Sequence, residues 1–262
     1  MDNLLEVKDI SFSYKKNENI FENISFNIKK GEVLCILGPN GTGKTTLLKC
    51  LNGINNVNSG EILINGENIK KLSYSKISKK ISYIPQNHTP TFPFTVFDVV
   101  LMGRSPYISL TDSPNEEDVK IAEKSLKTLG IHDLKDKEYT TLSGGERQLV
   151  FIARVLTQET DLLILDEPTS HLDFGNQIKI LEIIQNLAKE GLSIIMSSHF
   201  PDHAFISSTN VAIIQNKKFI AYGSPDEVIT EENLKKTYEI DVKLLELDDR
   251  KICIPMNTGL KI

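Results

Sequence analysis

The chain is 262 residues long, enough for one large α/β domain carrying a helical subdomain, and its 30 basic against 35 acidic residues leave a net charge of −5. That balance gives no electrostatic case for nucleic-acid binding. No apolar run approaches the length of a membrane span, and the N-terminus shows no signal-peptide pattern. Cys35, Cys50 and Cys253 lie far apart in apolar surroundings. They read as reduced core residues of a cytosolic protein, not as disulfide or metal ligands. The sequence has no internal repeat and no low-complexity linker.

Residues 1–31 alternate as strands, with Ile24, Phe26 and Ile28 on one face. Val33 to Leu37 form a short apolar run, the pattern of a strand buried on both faces of a parallel sheet. Gly38-Pro39-Asn40-Gly41-Thr42-Gly43-Lys44-Thr45 follows directly, then Thr46. This is a complete phosphate-binding loop for a nucleoside triphosphate. Its glycines allow close approach of the backbone to phosphate oxygens, and a helix starting near Lys44 adds its positive end. Lys44 is expected to reach the β- and γ-phosphates, and the Thr45 hydroxyl to ligate Mg²⁺. The competing reading is a glycine-rich strand-to-helix turn without a ligand. Further on, Gly60 to Ile69 contains Asn65-Gly66, a strong hairpin signal. The lysines at 70, 71, 76, 79 and 80 predict a solvated face.

Between Gln86 and Gln158 the pattern turns helical, with Val119, Ala122 and Leu126 expected on one face. Leu142-Ser143-Gly144-Gly145-Glu146 precedes an apolar-periodic run through Leu149, Ile152 and Val155. Ser143 is placed to cap that helix, and the free N–H groups of Ser143, Gly144 and Gly145 make a second anion site. Leu162 to Leu165 read as another buried strand, ending in Asp166-Glu167. Asp166 suits an Mg²⁺ shell, and Glu167 suits polarising an attacking water. An acidic pair after an apolar strand is also a common helix start. A strand through Ile194 ends at His199, a hairpin is expected around Asn216, and a short extension follows from Ser224.

In this order the motifs resemble those of the ATPase subunits of ATP-binding-cassette (ABC) transporters, over essentially the whole chain. Gly38 to Thr45 match Walker A and Leu162 to Asp166 match Walker B. Gln86, in Tyr-Ile-Pro-Gln, is similar to the Q-loop glutamine, which contributes to the metal shell. Leu142 to Gln148 match the signature and Ser170 to Asp173 resemble the D-loop. His199 falls at the switch histidine, and Tyr14 where the family stacks an aromatic on adenine. The resemblance implies ATP and Mg²⁺ as cofactors, with Glu167, His199, Gln86 and Lys44 as the catalytic set. It implies a homodimer in which Ser143, Gly144, Gly145 and Asp173 of one chain face the ATP of the other. Phe200 departs from the family pattern, which commonly has Asp there. Other readings remain open: Tyr14 as sheet packing, Gln86 as a loop-satisfying side chain, and His199 as a buried, satisfied histidine.

The implied fold is α/β, a P-loop ATPase core with a mainly parallel sheet, an antiparallel β subdomain and a helical signature subdomain. Residues 1–223 would form the ATPase domain, with the helical subdomain at about 87–158, and residues 224–262 a C-terminal extension packed on it. Phe92 to Arg104, followed by Ser105-Pro106-Tyr107, resembles importer ATPases for iron–siderophore, haem and cobalamin complexes. In that group this segment docks the membrane subunit; the competing reading makes Phe94, Val96, Phe97, Val99 and Val100 plain core. The expected partners are a second copy, two permease subunits and, indirectly, a substrate-binding protein. The expected place is the cytoplasmic face of the cell membrane. The alternatives are cobalamin or molybdate/tungstate import, a single-cassette ATPase of iron–sulfur assembly, and an exporter.

Overall fold

The structure is a computed structural model describing residues 3–16, 18–86, 92–109, 111–248 and 250–256. The expected start of the helical subdomain at 87 and the last residues of the extension, 257–262, lie outside the described residues.

Strands β1 (Leu5–Ser13) and β2 (Asn19–Ile28) pair antiparallel, and Ile24, Phe26 and Ile28 are buried as the alternation requires. Next, β3 (Val33–Leu37) runs into the phosphate loop and α1 (Lys44–Leu51). The hairpin β4 (Ser59–Ile64) and β5 (Glu67–Asn68) turns at Asn65 and Gly66, both with positive φ. Because β4 pairs with β1, these strands form one antiparallel sheet in the order β2-β1-β4-β5. A short helix, α2 (Tyr74–Ser78), then leads to β6 (Ile81–Ile84), which ends just before Gln86.

The helical region holds α3 (Val96–Leu101), a 3₁₀ stretch over Met102–Tyr107, α4 (Glu116–Thr128) and α5 (Gly144–Thr157). Each α-helix starts on a capping box, Thr95/Asp98, Asn115/Asp118 and Ser143/Glu146, so sequence chemistry fixes where each begins. One expectation fails on α4. Ala122 and Leu126 are buried, but Val119 is exposed. The buried stripe passes instead through Asp118, Ala122, Ser125 and Leu126, because Asp118 turns inward to meet Arg104 at 2.8 Å.

The chain returns to the core as β7 (Leu162–Leu165), α6 (Phe174–Lys189), β8 (Ser193–Ser198), α7 (Pro201–Ser207), β9 (Asn210–Gln215) and β10 (Lys218–Gly223). The central sheet has the order β10-β9-β3-β8-β7-β6, parallel except for β10. Strands β3 and β7 are apolar and buried at every position because both faces are covered, whereas β8 carries the buried Ser193, Ser197 and Ser198. In β3, Val33, Cys35 and Leu37 enter the core shared with the helices, while Leu34 and Ile36 enter the core under the antiparallel sheet. The same alternation divides β7, β8 and β9. Each such Leu or Ile contributes on the order of 1.5–3 kcal/mol on burial. The strand carrying the phosphate loop is thereby clamped from both sides.

Beyond Ser224 come α8 (Pro225–Val228), α9 (Glu231–Tyr238) and a hairpin of β11 (Val242–Leu247) and β12 (Arg250–Pro255). The Cys253 amide in β12 donates to Asp202 of α7 at 2.8 Å. Cys35 and Cys50 are fully buried, as expected, whereas Cys253 is only half-buried on this exposed hairpin. No described helix is long and apolar enough to cross a membrane.

Candidate functional site

The phosphate loop sits at the C-terminal end of β3, where β3 and its neighbours β8 and β9 open toward solvent. At Gly38 a Cβ would lie 2.6 Å from the Ile214 carbonyl oxygen on β9, so no larger residue fits. Gly41 has φ +81°, a conformation that a residue with a Cβ disfavours, with nothing within 4 Å of a Cβ position. Lys44 is buried and its Nζ donates to the carbonyls of Gly38 (2.6 Å) and Pro39 (3.0 Å). That Nζ also lies 3.6 Å from Glu167 Oε1. Burial pushes the Lys44 ammonium below the usual lysine range, and Glu167 and Asp166 oppose that shift. Thr42 Oγ1 donates to the Pro39 carbonyl at 2.9 Å, while Asn40 and Gly41 are exposed. Tyr14 is not packed in the sheet. It stands past the end of β1, 63% exposed, edge-on to Phe12, with its hydroxyl 3.4 Å from Thr46 Oγ1.

The carboxylate pair ends β7 and does not start a helix; α6 begins only at Phe174. Asp166 is buried. It accepts from Ser197 Oγ at 2.8 Å and, more weakly, from the Tyr83 hydroxyl at 3.4 Å. Burial, with the Asp166 charge adding to it, raises the Tyr83 phenol above its ordinary value. Glu167 has φ +50°, and three side chains close around its carboxylate. Gln86 Nε2 donates to Oε2 at 2.8 Å. Lys44 faces Oε1. His199 Nδ1 lies 3.6 Å from Oε2 and, though buried, has no hydrogen-bond partner among the described residues. The structure therefore brings Lys44, Gln86, Asp166, Glu167 and His199 into one cluster beside the phosphate loop.

The signature residues stand elsewhere. Ser143 caps α5 as expected, and Glu146 Oε2 accepts from its amide (2.9 Å) and hydroxyl (2.7 Å). These bonds hold the Glu146 carboxyl below the usual range. Asp173 caps α6, accepting from Asn176 N at 2.9 Å and Asn176 Nδ2 at 2.7 Å. The two helix starts abut, since a Cβ at Gly145 would lie 2.6 Å from Asn176 Cγ. Among the described residues, no hydrogen bond or ion pair joins Ser143, Gly144, Gly145 or Asp173 to residues 38–46. The signature residues and the phosphate loop are thus separate groups on one chain, and the Ser143 amide, expected to be free, is taken by Glu146.

Several neighbours were not singled out from the sequence. Ser197 bonds both Asp166 and the Glu167 amide (2.9 Å). His203 Nδ1 lies between Thr169 Oγ1 (3.3 Å) and Ser198 Oγ (3.2 Å). Burial first, then the nearby His199, lowers its pKa to about 4. The signal for Ser197 was present: a serine inside the apolar strand Ser193–Ser198 must find a partner when buried.

The segment at 92–107 divides between the two readings. Val96, Val99 and Val100 are core, and Phe97 is partly buried, whereas Phe92, Phe94 and Tyr107 are exposed. A groove is lined by Leu101, Met102, Ser105, Ile108 and Pro114, with Asp98 and Ser109. Arg104 is buried, bonding Asp118 (2.8 Å), Glu159 (2.9 Å) and the Thr157 carbonyl (3.0 Å). Among the described residues, no cluster of three His, Cys, Asp or Glu side chains could hold a metal unaided.

Residues 21–170 match the family model described as ABC transporter. A Helicobacter pylori protein named "Probable iron chelatin transport ATP-binding protein" is 38% identical, over 95% of this chain and 98% of its own. A Haemophilus influenzae molybdate import ATP-binding protein is 33% identical, over 92% of this chain and 90% of its own. Among solved structures, the inward-facing form of a transporter described as of metal-chelate type superposes with a TM-score of 0.86. It is 30% identical and covers 98% of each chain.

Proposed function

The chain belongs to the ABC transporter family and is an ATPase; from that premise we propose that it energises uptake of a metal chelate, an iron complex such as a siderophore or haem, through a partner permease. The observation carrying the chemistry is the closure of Lys44, Gln86 and His199 around the Glu167 carboxylate. Glu167 takes a proton from water as the water oxygen attacks the γ-phosphorus, and the bond from that phosphorus to the bridging oxygen breaks to release ADP and phosphate. Lys44 holds the β- and γ-phosphates. His199, whose Nδ1 faces Glu167 at 3.6 Å, arranges that carboxylate and hydrogen-bonds the γ-phosphate. Tyr14, exposed beside Thr46, stacks on adenine, and Gly38 to Thr46 hold the phosphates.

Mg²⁺ fits the donor set, because Thr45, Gln86 and Asp166 supply too few oxygens for a protein-only site and phosphates and water complete an Mg²⁺ shell. When bound, it neutralises charge on the phosphates. Ser143, Gly144, Gly145 and Asp173 complete the site of a second copy. The homodimer sandwiches two ATP molecules, since these groups do not reach the phosphate loop of their own chain. We assign residues 1–223 to the ATPase domain, about 87–158 to its helical part and 224–262 to the extension.

Exposed Phe92, Phe94 and Tyr107, together with the groove at Leu101, Met102 and Ile108, offer the surface on which the permease docks, placing the subunit at the cytoplasmic face of the membrane. A substrate-binding protein acts indirectly, through the permease. The iron reading rests on the resemblance of that segment and on the relative named for iron chelatin. The test is co-purification with an adjacent-gene permease, followed by uptake of iron–siderophore, haem, cobalamin and molybdate in a deletion strain. Uptake of molybdate alone would overturn the iron assignment and favour the second reading, which the molybdate relative supports. Stable association with a soluble iron–sulfur scaffold and no permease would overturn import altogether.

A further inference from the structure

We infer that Ser197 is a positioning residue for hydrolysis, because its single hydroxyl bonds both acidic residues that follow β7, the Asp166 carboxylate and the Glu167 amide. Ser197 is fully buried. Its oxygen accepts the backbone N–H of Glu167 at 2.9 Å, and its hydroxyl lies 2.8 Å from Asp166 Oδ1. A hydroxyl has one proton and two lone pairs, and an amide can only donate. The Ser197 proton is therefore committed to Asp166.

Two consequences follow for the site. Glu167 adopts φ +50°, the left-handed region that a residue with a Cβ disfavours. The amide bond to Ser197 helps to hold that conformation, which sets where the carboxylate meets Lys44 and Gln86. At Asp166, Oδ1 is taken by Ser197, and Oδ2 receives the longer bond from Tyr83. One hydroxyl on β8 thus aligns the carboxylate assigned to the metal with the one assigned to the water. Ser197 acts through them and not on the nucleotide. The inference rests on the roles given above to Asp166 and Glu167.

Ser193 supplies the control. It lies on the same strand and is equally buried, but its hydroxyl oxygen accepts from the Gly31 amide at 3.0 Å, at the opposite end of β8. The experiment compares wild type, Ser197→Ala, Ser193→Ala and Glu167→Gln. It reads kcat and KM for ATP, and the thermal shift produced by ATP with chelator against ATP with Mg²⁺. Ser197→Ala is expected to lose about 10–100-fold in kcat, the scale of losing a ligand-orienting partner, while KM stays within about threefold. The ATP-only shift persists and the Mg²⁺-dependent increment shrinks. Ser193→Ala lowers the melting temperature without either change. Should Ser197→Ala fail to fold, Ser197→Cys, similar in shape with a weaker donor, carries the same comparison. Turnover within about twofold of wild type, an unchanged Mg²⁺ increment, or an equal kcat loss in Ser193→Ala would overturn the inference. Normal hydrolysis by Glu167→Gln would instead overturn the site reading beneath it.

Discussion

Gln86 donates from Nε2 to Glu167 Oε2 at 2.8 Å, so the residue closing the strand β6 segment is bonded directly to the carboxylate that ends β7. With Lys44 near Oε1, both oxygens of Glu167 are engaged. A carboxylate held this way is aimed, but it must give up a hydrogen bond to receive a proton. Removal of its basicity and removal of its partner should therefore have different effects.

Glu167→Gln is expected to keep ATP binding and lose roughly 10²–10⁴-fold in hydrolysis, the range for removal of a general base. Lys44→Ala should instead weaken binding itself. Nucleotide titration alongside steady-state turnover separates the two, and near-normal turnover in Glu167→Gln would exclude it as the base.

Two defective chains should complement one another. Lys44→Ala lacks a phosphate loop and Ser143→Arg lacks a signature, so a mixed dimer rebuilds one intact composite site. Losing the Ser143 cap costs about 1 kcal/mol, too little to unfold the chain. ATPase activity is expected in the mixture and in neither variant alone; no recovery at any mixing ratio would exclude the shared site.

His203 gives the fold a pH dependence. Its pKa falls from 6.5 to about 4 on folding because the buried ring is kept neutral. The stability this provides is present above the unfolded value and is lost as pH falls from about 6.5 toward 4. Between pH 7 and pH 5 the loss is about 2 kcal/mol, read as a drop in urea midpoint. His203→Gln should flatten that part of the profile; an unchanged slope would show that other groups carry it.

Phe94, in the segment 92–107, is 43% exposed, so a charge there need not disturb the core. Phe94→Glu should keep the fold and basal ATPase activity while weakening permease binding by about 2–4 kcal/mol. Pull-down with the permease checks this, and full retention would move the docking surface elsewhere.

The strands of the central sheet were legible where apolar runs end in special chemistry. Leu37 meets Gly38, Leu165 meets Asp166, and Ser198 meets His199. Turn residues gave the hairpins at Asn65 and Asn216. Strand β6 was not read, because four residues, Ile-Ser-Tyr-Ile, are too few to separate strand from helix by periodicity. Val119 misled because its apolar character suggests burial, whereas the buried ion pair of Asp118 with Arg104 takes the inward position. Individual motifs located Gln86, Glu167 and His199. Their convergence, and the bridge from Ser197, depend on three strands meeting in register, which no local pattern encodes.

The contact between Gly145 and Asn176 carries an evolutionary consequence. A Cβ at 145 would lie 2.6 Å from Asn176 Cγ, so any side chain there forces the Asn176 amide to move or shorten. Asn176 gives Asp173 a side-chain donor as well as its backbone N–H, and a substitution at 176 removes only the first, leaving the backbone cap of α6 in place. A change at 145 is thus felt at 176 and, through that side-chain bond, at 173. Descendants of this chain that vary at 145 should vary at 176 as well.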